Sequence, residues 1–120
     1  MDQSPDLPSC AFCRIVSAQS TTQILYHDGL VSAFRDIHPL ASTHIIIVPN
    51  QHIESVNDLE AGDEQLVGHM ILVAKQLAIQ EGLSGHGYRL IINTGAHGGQ
   101  TVFHLHLHLL GGPLARFALK

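Results

Sequence analysis

The pattern of apolar and polar positions begins with two short runs that predict a β-hairpin. Residues 21–29 and 30–36 are rich in β-branched and aromatic residues and meet at the sequence HDG, which is typical of a turn. Residues 43–49, THIIIVP, are almost continuously apolar. Such a run predicts a strand in the centre of a sheet, with both of its faces covered.

Between residues 57 and 81 the period of the apolar positions becomes helical, and Gly82 follows where a C-terminal cap is expected. The spacings of four, three and four predict one buried helical face, formed by Leu66, Met70, Val73 and Leu77. This segment is the main helix of the predicted domain.

A short helix and two more strands complete the pattern. Residues 10–17 predict the helix, with apolar side chains on one side, and residues 88–95 and 102–110 predict the strands. The order of these elements predicts an α+β domain whose antiparallel sheet carries its helices on one side.

The length and composition indicate one globular domain. The chain has 120 residues, of which 45% are hydrophobic and 13% charged, a balance that allows one core and argues against disorder. Residues 1–9 are polar and contain proline, and we expect them to form a flexible arm. Residues 10–120 then form the single domain.

The charge balance excludes two classes of partner. The formal net charge is -4 and only six residues are lysine or arginine, too few for a broad surface that binds a nucleic acid polymer or an anionic membrane. No run reaches the ~18 apolar residues that a membrane span requires, and the N-terminus lacks the features of an export signal. We therefore expect a protein of the cytoplasm that binds no membrane.

Three histidines, His104, His106 and His108, stand at alternate positions of the last predicted strand. In a strand they share one face, with neighbours about 6.6 Å apart. A solvated face could use histidine, but threonine, lysine or glutamate would serve equally well, so the alternation favours a function. Two interpretations remain open: a metal centre, and a cluster in which one imidazole is the nucleophile while others bind and move protons.

The sequence NTGAHGGQT, residues 93–101, precedes this row. Its three glycines free the backbone to turn N–H groups toward an anion. Beside the histidines the loop predicts a phosphate cradle, in which Gln100 and Thr101 add neutral donors and Asn93 can bond a sugar hydroxyl or a phosphate oxygen.

These features together resemble a known family. GGQTVFHLHLHLLGG resembles the His-x-His-x-His signature of the histidine triad (HIT) family, and its Gly-Gly-Gln and Leu-Gly-Gly are similar to the Hint branch. STHIIIVPNQHI (42–53) is similar to the family's second block, AFRDIHP (33–39) to its nucleoside-binding block and CAFCRIV (10–16) to its N-terminal block. The resemblance spans roughly residues 10–112, although SAQSTTQ (17–23) lacks the Ile-Pro that is common in this loop.

The resemblance implies a HIT-like fold, an antiparallel five-stranded sheet with one long and one short helix, continued across a homodimer. It also implies reaction at the α-phosphate of a nucleotide. By position, His106 matches the family's nucleophile, while His108 and His44 match the histidines that bind phosphate and move protons. Further positions match residues that bind the nucleotide, with Asp36 as the acceptor from ribose hydroxyls: Phe34, Asp36, Ile37, Asn93, Gly99, Gln100 and Thr101.

Both cysteines, Cys10 and Cys13, belong to one CxxC. They could be small buried residues of a short helix, a redox pair, whose thioredoxin-like context is absent, or half of a metal site. Zinc needs about four ligands. The resemblance to bacterial members with this CxxC supplies the other two as His52 and His104, which implies one structural zinc per chain.

The resemblance to the Hint branch implies a purine nucleoside phosphoramidase, which hydrolyses the P–N bond of nucleoside 5′-phosphoramidates of the adenosine type through a covalent nucleotidyl-histidine. One alternative is a dinucleotide polyphosphate hydrolase, which Gln100 and the Leu-Gly-Gly sequence disfavour. A second is a non-catalytic nucleotide-binding or adaptor protein, against which all three histidines argue. A third is a hydrolase whose metal is held by those histidines.

Overall fold

The sheet of the computed structural model, which describes residues 9–114, is antiparallel throughout. Its five strands are β1 (Ile24–His27), β2 (Val31–Arg35), β3 (Ala41–Pro49), β4 (Tyr88–Ile91) and β5 (Leu107–Leu114). Their spatial order is β1-β2-β3-β5-β4. The helices are the short α1 (Ala11–Val16) and the long α2 (Glu64–Gln80). The predicted α+β class is thus confirmed, together with the sheet and the two helices.

Strand β3 lies in the middle of the sheet, as its apolar sequence predicts. It pairs with β2 on one side and β5 on the other. Ile45, Ile46 and Ile47 are each at most 2% exposed, so both faces of the strand are covered. Burial on both faces explains why no polar residue alternates through this run.

The two helices pack on opposite faces of the sheet, and the prediction that they share one face is wrong. Ile45 and Ile47 belong to a core with α2, whereas Ile46 and Val48 belong to a cluster with Ile15 of α1. Alternate residues of a strand point to opposite faces. The side of α1 was not predictable, because a six-residue helix has too short an apolar pattern to indicate which face it covers.

Helix α2 begins later than predicted. The segment from residue 57 is interrupted by two 3₁₀ turns, Val56–Asp58 and Ala61–Asp63, before the helix begins at Glu64. Side chains cap both turns: the Ser55 hydroxyl accepts from the N–H of Asn57, and Glu60 and Asp63 form a capping box. The predicted buried face is confirmed, since Met70, Val73 and Leu77 are buried and Leu66 packs against them.

Strand β5 is shifted toward the C-terminus relative to the predicted residues 102–110. The last paired residues of this ladder are Ile47 and Leu107, and in that register Leu105 faces Pro49. Proline has no N–H to donate, so the ladder ends there. Instead, the N–H of Leu105 donates to the Ile53 carbonyl, at 2.6 Å. His104 and His106 therefore precede the strand.

Of the other strands, β1, β2 and β4 are shorter than predicted, and β3 begins two residues earlier than predicted. The predicted arm, except for Ser9, and residues 115–120 lie outside the described part of the chain. Within residues 9–114, no helix has the length and apolar content needed to cross a bilayer.

Candidate active site and metal centre

A cavity of about 570 Å³ lies on the face of the sheet that carries α1. Its wall contains nine of the ten residues that the sequence predicts for catalysis and nucleotide binding: Phe34, Asp36, Ile37, His44, Asn93, Gly99, Thr101, His106 and His108. Ile37, at the rim, is 78% exposed, whereas Phe34 is 3% exposed. The fold thus brings together residues from five separate segments of the chain.

His106 is held in one tautomer by the main chain. Its Nδ1 lies 2.7 Å from the carbonyl oxygen of His104. A carbonyl only accepts, so Nδ1 carries the proton and Nε2 keeps its lone pair. Phe12 packs edge-on against the ring at 5.1 Å and restricts its rotation. The arrangement leaves His106 with an oriented, unprotonated nitrogen.

His44 and His108 form a second oriented pair. The N–H of Leu40 donates to Nδ1 of His44 at 3.1 Å, so His44 carries its proton on Nε2. That Nε2–H donates to Nδ1 of His108 at 2.9 Å, which leaves the His108 proton on Nε2. A carboxylate oxygen of Asp36 lies 3.5 Å from the same His44 nitrogen. The pair is a hydrogen-bonded path along which a proton can move.

All three of these histidines are neutral near pH 7. Burial lowers the pKa of His44, and the neighbouring His106 adds to this, although Asp36 acts in the opposite direction. Burial also lowers the pKa of His106, against the raising effect of its bond to the His104 carbonyl. Burial, followed by repulsion that protonated His106 and His44 would exert, lowers the pKa of His108 to about 4, although Asp36 acts in the opposite direction. Neutral imidazole is the nucleophilic form.

Four N–H groups of the glycine loop donate hydrogen bonds within the loop itself. The predicted phosphate cradle is revised accordingly, because these four groups already have acceptors. The N–H groups of Gly98, Gly99 and Gln100 donate to carbonyls within the loop, and that of Gly95 donates to the Gln100 side chain. The Gln100 amide also donates to two main-chain carbonyls and is 4% exposed. Gln100 is the one predicted nucleotide-binding residue that does not line the cavity; it supports the loop from behind.

A second cluster brings together Cys10, Cys13, His52 and His104, the four residues of the predicted metal site. One potential ligand atom from each lies within 4.8 Å of all the others. Nδ1 of His104 is 3.4 Å from Sγ of Cys10 and 3.5 Å from Sγ of Cys13. Nδ1 of His52 is 3.1 Å from Sγ of Cys13. All four donor atoms thus point toward one another.

The main chain prepares this cluster for a cation. Nε2 of His104 donates to the Pro49 carbonyl at 2.9 Å, which leaves its Nδ1 unprotonated toward the sulfurs. Sγ of Cys10 accepts from the N–H of Cys13 at 3.3 Å, which orients this sulfur within the cluster. Because the N–H of Leu105 donates to Ile53 and not to Pro49, the Pro49 carbonyl can accept from His104. This contact orients His104 as a potential ligand.

Several cavity residues were not found from the sequence. Phe12 was assigned only to the apolar side of α1, yet it touches both His104 and His106. Ser20, Thr22 and Arg14 also line the cavity. The sequence did contain a signal for Ser20 and Thr22. They belong to the polar stretch that stands where relatives commonly have the apolar pair Ile-Pro.

Comparisons with known proteins agree with this geometry. A model of the HIT domain matches residues 17–113. A purine nucleoside phosphoramidase of Escherichia coli K12 is 54% identical over 101 residues, which cover 84% of this chain and 85% of that protein.

Solved structures are similar as well. A HIT family hydrolase from Legionella pneumophila has a TM-score of 0.87 and 42% identity, and covers 92% of this chain and 99% of its own. A HIT family hydrolase from Clostridium thermocellum has a TM-score of 0.88 and 39% identity, with 94% and 99% covered. The chain therefore belongs to the HIT family, and it is a hydrolase.

Proposed function

We propose that this protein is a purine nucleoside phosphoramidase that hydrolyses nucleoside 5′-phosphoramidates through a nucleotide bound covalently to His106. The observation that carries the proposal is the 2.7 Å contact between Nδ1 of His106 and the His104 carbonyl. It supports Nε2 as the attacking nitrogen, and the carbonyl can stabilise the positive charge that develops on the ring when that nitrogen attacks phosphorus.

The reaction then takes two displacements. Nε2 of His106 forms a bond to phosphorus, the P–N bond breaks, and the leaving amine takes a proton that the His44–His108 pair can deliver. Water next attacks phosphorus and gives up a proton to the same pair, the bond to His106 breaks, and the nucleoside monophosphate departs. One difficult step is replaced by two easier ones.

The remaining wall of the cavity suits a nucleotide. Asp36, which lines the cavity, would accept from the ribose hydroxyls, while Phe34 and the exposed Ile37 offer apolar surfaces for the base. Asn93, Gly99 and Thr101 also line the cavity and, by their family match, serve the phosphate and the leaving group. These roles follow the family match, and the cavity wall supports them.

We further propose that the cluster of Cys10, Cys13, His52 and His104 binds one structural zinc ion per chain. Tetrahedral zinc with Zn–S and Zn–N bonds of ordinary length separates sulfur from nitrogen by about 3.5 Å. The sulfur–nitrogen distances of 3.1 to 3.5 Å fit this requirement. With four protein ligands the site is closed, so its metal stabilises the fold and activates no water.

The proposal includes a homodimer in the cytoplasm. Strand β4 is an edge of the sheet, with Tyr88 38% exposed, and α2 exposes Leu72 at 63% and Ile79 at 51%. An unpaired sheet edge and an exposed apolar helical surface are each typical of a contact between two copies. The reducing cytoplasm keeps the two metal-binding thiols available.

A metal hydrolase that uses the three triad histidines together has less support. Within residues 9–114, no group close enough to hold one ion includes all three. His104 faces the cysteines, and His106 uses Nδ1 on a carbonyl. The histidines thus divide between two sites.

The proposed function is tested by assaying adenosine and guanosine phosphoramidates beside a diadenosine polyphosphate with one preparation. We expect cleavage of a phosphoramidate to be the fastest. Faster cleavage of the dinucleotide would favour the alternative hydrolase, and turnover of none of the substrates with intact nucleotide binding would favour the non-catalytic alternative.

A further inference from the structure

One histidine of the His44–His108 pair has its tautomer fixed by the main chain. The N–H of Leu40 donates to Nδ1 of His44 at 3.1 Å, and a main-chain N–H is always the donor. His44 therefore carries its proton on Nε2, which donates to Nδ1 of His108 at 2.9 Å. Because Nδ1 already accepts and Nε2 is already protonated, neutral His44 has no nitrogen that can bind an additional proton.

His108 must therefore bind any additional proton that the reaction needs. If neutral His108 gave its Nε2 proton to the leaving amine, the pair would be left with a negative charge. A cationic His108, protonated on both nitrogens, can give up a proton and remain neutral. It takes the additional proton from solvent before the first displacement, and it forms again when the attacking water loses a proton in the second.

Protonation of His108 removes the hydrogen bond within the pair. Its Nδ1 then carries a proton and can no longer accept from Nε2 of His44. The His44 side chain is 1% exposed, so water does not replace the lost acceptor. A buried N–H without an acceptor is costly, and the cationic state of His108 is favoured only if another acceptor receives this proton.

The carboxylate of Asp36 is the acceptor within reach. Its Oδ2 lies 3.5 Å from Nε2 of His44, so a small shift of either group would bring the two to hydrogen-bond distance. Its Oδ1 accepts from the main-chain N–H of His38 at 2.7 Å, which fixes the carboxylate. Within residues 9–114, Oδ2 accepts no other hydrogen bond. Burial lowers the pKa of both His44 and His108, and the negative charge of Asp36 acts in the opposite direction on each.

We propose that Asp36 is a positioning residue for the reaction, which accepts the His44 proton and so stabilises cationic His108 while the amine departs and while water attacks. This inference rests on the proposed function. It adds to the ribose contact, since an ionised carboxylate has about four lone-pair sites on its two oxygens. His108 is neutral near pH 7, so the rate depends on how well its rare cationic form is stabilised.

The test separates this role from ribose binding by using substrates without ribose hydroxyls. They are 2′,3′-dideoxyadenosine 5′-phosphoramidates of an alkylamine and of an aromatic amine, and the measured quantity is the single-turnover rate at saturation. The variant is Asp36→Asn, whose amide oxygen can still accept from the N–H of His38. Glu64→Gln, exposed and outside the cavity, is the matched control because it removes the same charge. Circular dichroism checks the fold, and Asp36→Ser serves as a second neutral variant.

We expect Asp36→Asn to slow cleavage of the alkylamine substrate by about tenfold or more, the loss that corresponds to one charge-assisted hydrogen bond. The loss should be smaller for the aromatic amine, which is less basic and departs with less help from a proton donor. Glu64→Gln should match wild type with both substrates.

Three outcomes would overturn the inference and leave the phosphoramidase proposal standing. Equal rates for Asp36→Asn and wild type would show that the carboxylate serves only the ribose, and an equal loss with both amines would indicate a structural role alone. Cleavage of adenosine phosphoramidates but not of the dideoxy substrates would also overturn it, because the contact with His44 exists without a ribose. Failure of wild type to cleave any phosphoramidate would contradict both proposals.

Discussion

The carbonyl oxygen of His104 lies 2.7 Å from Nδ1 of His106, so His104 takes part in two sites at once. Its imidazole faces Cys10 and Cys13, and its main chain fixes the tautomer of the proposed nucleophile. A residue that is fully buried and held at three points has little freedom to move. The proposed metal thus stabilises the segment that positions the nucleophile, although it takes no part in the reaction.

The first prediction concerns that metal. The protein purified without chelator should contain one zinc per chain, and Cys10→Ala with Cys13→Ala should contain none. The double variant should unfold at lower denaturant concentration than wild type, because binding of the ion to the native state stabilises it. Metal analysis and urea unfolding provide the measurements, with His86→Asn, an exposed histidine, as the control.

Two outcomes would count against this account of the zinc. Wild-type protein free of zinc would remove the site. A double variant that is folded but has lost all turnover would support a catalytic metal instead, since the closed site predicts that a folded metal-free protein still turns over.

The second prediction concerns pH. Burial lowers the pKa of His108 from 6.5 to about 4, so between these values the unfolded chain binds a proton that the folded protein does not. The free energy of unfolding should therefore fall as the pH drops from about 6.5 toward 4, by about 1–2 kcal/mol for His108 after allowance for solvent screening. Urea unfolding at several pH values measures this effect.

His108→Gln isolates the contribution of His108 from those of the other histidines, because it removes one titrating group. Its stability should depend less steeply on pH than that of wild type over this range. Identical slopes for the two proteins would show that His108 is not held neutral by burial.

The third prediction concerns the assembly. Sedimentation at micromolar concentration should show a dimer, and Leu72→Glu should weaken it by placing a charge in the proposed contact on α2. Gln23→Glu adds the same charge at an exposed position before β1 and should leave the dimer intact. A fully active wild-type monomer at this concentration would contradict the prediction.

Much of the fold could be predicted because its apolar periods are long. The run ending at Pro49 and the helical face around Met70 indicate a central strand and a packed helix without further information. Two features of the fold depend on contacts between residues far apart in the chain, which the apolar pattern does not show. The start of β5 is decided by the facing Pro49, and the face of α1 by contacts between its few apolar residues and Phe34.

The site could be predicted in part for the same reason. Alternation places the three histidines on one side, and the family resemblance assigns their roles. Their division between two clusters depends on which atoms the main chain occupies, such as the Pro49 and His104 carbonyls. The support given by Gln100 likewise depends on hydrogen bonds of its side chain, one of which reaches the distant Glu54 carbonyl.

The fourth prediction concerns the nucleophile. His106→Asn should lose turnover of a nucleoside phosphoramidate while its affinity for the nucleoside monophosphate stays within a few-fold of wild type, because the chemistry is lost and the cavity is kept. Single-turnover kinetics and calorimetry measure the two quantities. His86→Asn, exposed and outside this cavity, should match wild type in both.

The most direct test of covalent catalysis is mass spectrometry of the protein quenched in alkaline denaturant during a single turnover of a purine nucleoside phosphoramidate. We expect a nucleotidyl group on the peptide that contains His106, which forms and decays fast enough to carry turnover and is absent from His106→Asn. Turnover without any such adduct, or an adduct on a different residue, would contradict it.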